Sequence, residues 1–158
     1  MTITQTAQRT PPALADRLRT LLEQNRPADA LELLAGGGEH GAWVQNARGV
    51  CLLRLGRAKD AFKVFRDLVF PGGAFAIPDE TPTAFRVNYV TSLLLNGNTT
   101  VALTLMDEIH DRQDPGFIRL RDAVRTWKRQ LGPVRRALLA IGVVPDAPVA
   151  LDFPPGEL

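Results

Sequence analysis

The chain has one cysteine, Cys51, so no disulfide can form within it. A reducing, cytoplasmic setting is the expectation from that count. No apolar run approaches 18 residues, which excludes a membrane-spanning helix. The opening residues, MTITQTAQRTPP, hold neither an apolar core nor a small-residue cleavage pattern, so they do not read as a secretory signal. Charge of one sign is also scarce. Nineteen basic and 17 acidic residues leave a net +2, which by itself points to no polyanionic partner. What is present is a 158-residue chain that is 45% hydrophobic and 23% charged, enough to bury one core.

Groups that carry chemistry are equally sparse. His40 and His110 are the only histidines, and neither Cys51 nor Ser92 has one close by in sequence to act as a base. Asp107, His110 and Asp111 in DEIHD fall at i, i+3 and i+4, a spacing able to hold a metal on one helix face, but no second cluster completes a shell. GGGEHG, Gly36 to Gly41, satisfies G-x-G-x-x-G, but it follows a helix where a dinucleotide site needs a strand. A turn is the expected role. No enzyme, no metal and no cofactor are expected.

A repeat is the main positive signal. Gly49, Leu52, Gly56, Ala61 and Phe65 are separated by steps of 3, 4, 5 and 4. The same steps fit Val90, Leu93, Gly97, Ala102 and Met106, and again Leu18, Leu21, Asn25, Ala30 and Leu34. Steps of 3 and 4 keep residues on one helical face. Gly56, Gly97 and Asn25 are residue types that accept a positive φ, so each can turn the chain between two helices. The alanine that follows lets the second helix approach the first. A fourth, degenerate set uses Gly132, Ala137 and Ile141.

The expected elements are four helix pairs. The first helices cover about 12–24, 42–55, 82–96 and 116–131, and the second about 27–35, 58–69, 99–111 and 133–141. Pro27 and Pro133 suit a first helical turn. Thr81 or Thr83 is a candidate cap near Pro82. Residues 71–80 form an enlarged loop with Phe75 and Ile77, and 143–158 a proline-rich extended tail able to lie along a groove or dock on a partner. The three regions are a tail at 1–10, a helical domain at 11–142 and the tail at 143–158.

ARGVCLLRLGRAKDAFKVF, NYVTSLLLNGNTTVALTLM and RLRTLLEQNRPADALELL resemble the tetratricopeptide repeat family. Successive alanines at 30, 61, 102 and 137 lie 31, 41 and 35 apart, against a family period of about 34. The resemblance implies an all-α fold, a right-handed superhelix of antiparallel helix pairs. It also implies a concave groove lined by first-helix residues: Arg19, Leu22, Trp43, Asn46, Val50, Leu53, Arg54, Val87, Thr91 and Leu94, with Arg119 at the far end. The expected partner is a protein segment, a peptide or helix seated in the groove. Trp43 would anchor it and Asn46 would hydrogen-bond its backbone. The family's carboxylate clamp is not matched, because Ala15, Ala47 and Val87 stand where polar or basic groups are needed.

A second candidate surface is basic. Leu120, Ala123, Val124, Trp127 and Leu131 share one arc of a helix about 100° wide. Arg121, Arg125, Lys128 and Arg129 lie opposite, and Arg135 and Arg136 follow. That face suits an anionic partner, although no aromatic residue interleaves it as single-stranded nucleic acid would require. The leading expectation is therefore an adaptor or scaffold that binds protein. Nucleic-acid or other anionic binding, a small chaperone and a structural subunit of an assembly are the alternatives.

Overall fold

The computed structural model describes residues 12–37, 41–145 and 149–158. The expected tail at 1–10 and His40 lie outside them, as do residues 38–40 of the glycine-rich stretch. The described residues are all-α, with eight α-helices and no strand. They are α1 (Pro12–Glu23), α2 (Pro27–Gly36), α3 (Ala42–Arg54), α4 (Ala58–Val69), α5 (Thr83–Leu95), α6 (Thr99–Asp107), α7 (Pro115–Gln130) and α8 (Pro133–Ala140).

Three helix-turn-helix units share one turn. Asn25, Gly56 and Gly97 have φ of 55°, 72° and 78°. In each turn this residue donates its N–H three residues back, to Leu22, Leu53 or Leu94, at 3.0–3.1 Å. The next residue, Arg26, Arg57 or Asn98, donates five back, to Leu21, Leu52 or Leu93, at 2.8–2.9 Å. These paired bonds satisfy the last carbonyls of the first helix and reverse the chain. Arg26 then pairs with Asp29 and Arg57 with Asp60, so the first two units start their second helix with the same ion pair. Pro27 and Pro133 both stand in the first turn of their helices.

Packing follows the repeat. Ala30, Ala61 and Ala102 have no exposed surface, and Leu34, Phe65 and Met106 are buried one turn further on. Gly49 shows why the second unit needs a glycine: a Cβ there would lie 2.4 Å from the Phe65 ring. Burial of a ring such as Phe65 contributes roughly 1.5–3 kcal/mol. Each helix from α1 to α5 packs on the next, and α5 also touches α3 and α7. Those three first helices therefore lie side by side and form one face.

The chain departs from the expected pattern in four places. Gly132 is extended (φ −62°, ψ 163°) rather than left-handed. Ala137 is exposed and Ile141 is 75% exposed, so α8 forms but buries none of its own residues. Helix α6 stops at Asp107 instead of 111, where the Arg112 guanidinium takes the Asp107 carbonyl at 2.7 Å. Neither Thr81 nor Thr83 caps α5, which begins after an extended Pro82 with no side-chain cap. In the 71–80 loop, Phe75 is fully exposed while Ile77 packs on the core. The mostly buried Arg86 anchors that loop, donating to the carbonyls of Pro78 at 2.6 Å and Thr81 at 3.2 Å.

A candidate peptide-binding groove

The face formed by α3, α5 and α7 holds a stretch of this chain's own backbone. Residues 149–158, called the strap here, return across it, with Val149 buried and Leu151 and Leu158 packed at the edge of the core. Asn46, Val50, Leu53 and Arg54 recur at helical spacing on α3, and Asn88 stands on α5.

Asn46 and Asn88 are both fully buried. The Asn88 carboxamide makes a two-point contact with the main chain of Glu157. Its Nδ2 donates to the Glu157 carbonyl at 2.7 Å, and its Oδ1 accepts from the Glu157 N–H at 2.8 Å. A second Nδ2 bond, at 2.8 Å, goes to Asn46 Oδ1, and Asn46 Nδ2 donates at 2.9 Å to the same Glu157 carbonyl. A flipped Asn88 would set N–H against N–H, so this network has one orientation. Among the described residues no buried side-chain nitrogen or oxygen lacks a partner. The strap backbone supplies the partners of these two carboxamides outside their own pair.

Arg54 reaches the adjoining peptide groups. Its Nε donates to the Pro155 carbonyl at 3.2 Å, its Nη2 to that of Gly156 at 3.4 Å, and its Nη1 to Leu22 at the end of α1 at 3.0 Å. Burial lowers the Arg54 pKa, and the nearby Arg119 charge acts in the same direction, while Cys51 and Glu157 raise it. Three carbonyls therefore compensate a partly desolvated guanidinium. Arg119 on α7 forms an ion pair with the Glu157 carboxylate.

Two glycines set the fit. Gly156 has φ +92°, and a Cβ there would sit 3.0 Å from both Val50 methyl groups. On the receiving side, a Cβ on Gly116 would lie 2.7 Å from Glu157 Cγ. Beside Leu158 the strap borders an open cleft of about 230 Å³, edged by Arg19, Leu22, Glu23 and Arg54.

Of the expected groove residues, Asn46, Val50 and Arg54 converge on the strap, and Arg19 and Leu22 border the cleft. Leu53, Val87 and Leu94 are buried in the same core cluster as Val50 and Leu22. Thr91 is buried with its hydroxyl donating to the Val87 carbonyl at 2.8 Å, and Trp43 is half-buried against the core. Asn88 and Gly116 escaped sequence reasoning. A lone asparagine inside the apolar stretch VNYVTSLLL was the available signal for the first.

The other candidate chemistry disperses. Asp107 ends α6 and His110 and Asp111 lie beyond it, so they do not share a helix face, and the described residues contain no cluster able to hold a metal. Burial pushes the Cys51 thiol up to about 11, which keeps it protonated and inert. Leu120, Ala123, Val124 and Trp127 on α7 and Leu131 just past its end are buried as expected. Arg121 and Arg125 share Asp122, while Lys128, Arg129, Arg135 and Arg136 are exposed. No helix of the described residues is long and apolar enough to cross a membrane. Comparison of the chain with family models, curated proteins and solved structures finds no match.

Proposed function

We propose that the chain is a non-enzymatic interaction module of tetratricopeptide-like architecture, an adaptor that grips an extended segment of a partner protein on the α3–α5–α7 face. The observation that carries this reading is the pair of buried asparagines whose hydrogen bonds run to a peptide group. Asn88 contacts the N–H and the C=O of one residue, and Asn46 reinforces the C=O. Such contacts recognise main chain whatever the side chains, and peptide modules draw affinity from them in this way. Desolvated carboxamides left without partners cost about 1–3 kcal/mol each, so the face favours an occupied state.

The test is selection of peptides from a random displayed library on the Glu157→Lys chain, in which the strap is repelled by Arg119 and Arg54. Enriched peptides are expected to lose binding on Arg54→Met and on Asn88→Ala chains that remain folded. No enrichment, or binding indifferent to both changes, would overturn the reading.

A second reading rests on the exposed cations of the last two helices. Among the described residues Lys128, Arg129, Arg135 and Arg136 have no ion-pair partner, and beside them Val134 on α8 is 72% exposed and Ile141, just past its end, 75% exposed. An anionic partner on that face would bind with a steep salt dependence, whereas main-chain recognition in the groove would not.

A further inference from the structure

We propose that the groove selects partner segments in which a glycine is followed by an acidic residue and then an apolar one, and that Gly156–Leu158 occupies that site as an internal competitor. This rests on the reading of the groove as a peptide site and adds the sequence it takes.

The first position admits glycine alone. Its φ of +92° is strained for any residue with a side chain, and a Cβ would press on both Val50 methyls. The second position is held twice. Its main chain is bracketed by Asn88 and Asn46, and its carboxylate meets Arg119. Gly116 leaves room for the side-chain stem, since a Cβ at that place would overlap Glu157 Cγ. Arg54 adds a second positive charge on the same side. A basic residue here would face two guanidinium groups. The third position, Leu158, is partly buried against the core and borders the cleft with Leu22.

A segment tethered within the same chain competes as an effective concentration on the order of 1 mM. For a free peptide of equal intrinsic affinity, near 10 µM, that weakens apparent binding on the order of 100-fold. The strap therefore masks the groove until a tighter or more concentrated segment of the same class displaces it.

The experiment is fluorescence polarisation with a labelled VALDFPPGEL peptide, the sequence of 149–158, against the full chain and two variants that unseat the strap, Gly156→Val and Glu157→Lys. Thermal melts confirm that the variants fold. Both are expected to bind the peptide at least tenfold more tightly than the wild-type chain. Peptides with glycine changed to valine, or with glutamate changed to lysine, are expected to lose about tenfold or more. Arg119→Glu, made in the Gly156→Val background, is expected to favour the lysine peptide over the original.

Equal binding to wild type and to both folded variants would overturn the competitor. Indifference to the glycine and to the acidic residue would overturn the selectivity, while peptides enriched from the library would still uphold the groove. Concentration-dependent dimerisation of the wild-type chain, abolished by Gly156→Val, would assign the site to a second copy and overturn a different protein as its occupant.

Discussion

Asn88 on α5 and Glu157 in the strap, 69 positions apart, form a closed amide pair in which each donates to the other, at 2.7 and 2.8 Å. The pair sits where neither carboxamide nor peptide group is free to exchange its partner for bulk water, since Asn88 is fully buried.

Replacing Asn88 by alanine removes three hydrogen bonds and leaves Asn46 Oδ1 and the Glu157 N–H without their partner. The expected loss of stability is about 2–3 kcal/mol. Limited proteolysis is expected to cut within 149–158 faster than in the wild-type chain, because the strap loses its central anchor. A melt by circular dichroism together with timed proteolysis checks both.

Gly49 and Gly56 lie in the same unit but are glycines for different reasons. Gly49→Ala drives a methyl into the Phe65 ring, and overpacking of this kind costs about 1–3 kcal/mol. Gly56→Ala meets no atom within 4 Å and is penalised only by its φ of +72°, about 1 kcal/mol. Shortening the ring, Phe65→Leu, is expected to restore part of the Gly49→Ala loss and none of the Gly56→Ala loss in urea denaturation.

The buried thiol makes stability fall in alkali. Burial raises the Cys51 pKa from an ordinary 9.0 to about 11, so between those values the unfolded chain has released a proton that the folded chain retains. Fewer protons on the unfolded state mean that stability declines as pH rises through this window, by on the order of 3 kcal/mol in full. Tyr89, whose pKa burial also raises, acts in the same direction. Melts of wild type and Cys51→Val between pH 8 and 11 are expected to diverge, with the wild type falling more steeply.

Helix α8 is expected to be nearly silent in stability. It buries none of its residues, and Val134 on it and Ile141 just past its end are 72% and 75% exposed, so Val134→Asp and Ile141→Asp should each change stability by less than about 0.5 kcal/mol. Leu120→Ala on α7, a residue with no exposed surface, should cost about 2–5 kcal/mol. Urea midpoints of the three variants make the comparison.

How much of this was legible in the sequence follows from which residues act locally. Asn25, Gly56 and Gly97 turn the chain through bonds to residues three and five positions back, so a short window contains the whole cause. Gly132 sits at the same place in the pattern, yet Ala137 and Ile141 have nothing to pack against, and the turn takes another form. At α6 the helical apolar spacing continues past Asp107, and it does not show that the Arg112 side chain, five and six residues on, takes the carbonyls of Asp107 and Met106. The groove was half visible. Asn46 reads as a polar residue on a first-helix face, whereas the role of Asn88 depends on a segment 69 residues away. The family resemblance puts Arg54 and Val50 on the groove face, but that they meet Pro155 and Gly156 rests on how the strap returns.

A face that grips peptide main chain protects the amide it holds, and the Glu157 N–H reports on that grip directly. Residue-resolved hydrogen exchange on the wild-type chain is expected to show that N–H protected well beyond a free peptide, with the protection lost in Asn88→Ala. Exchange of the Glu157 amide at the free-peptide rate in the folded wild-type chain would contradict the account.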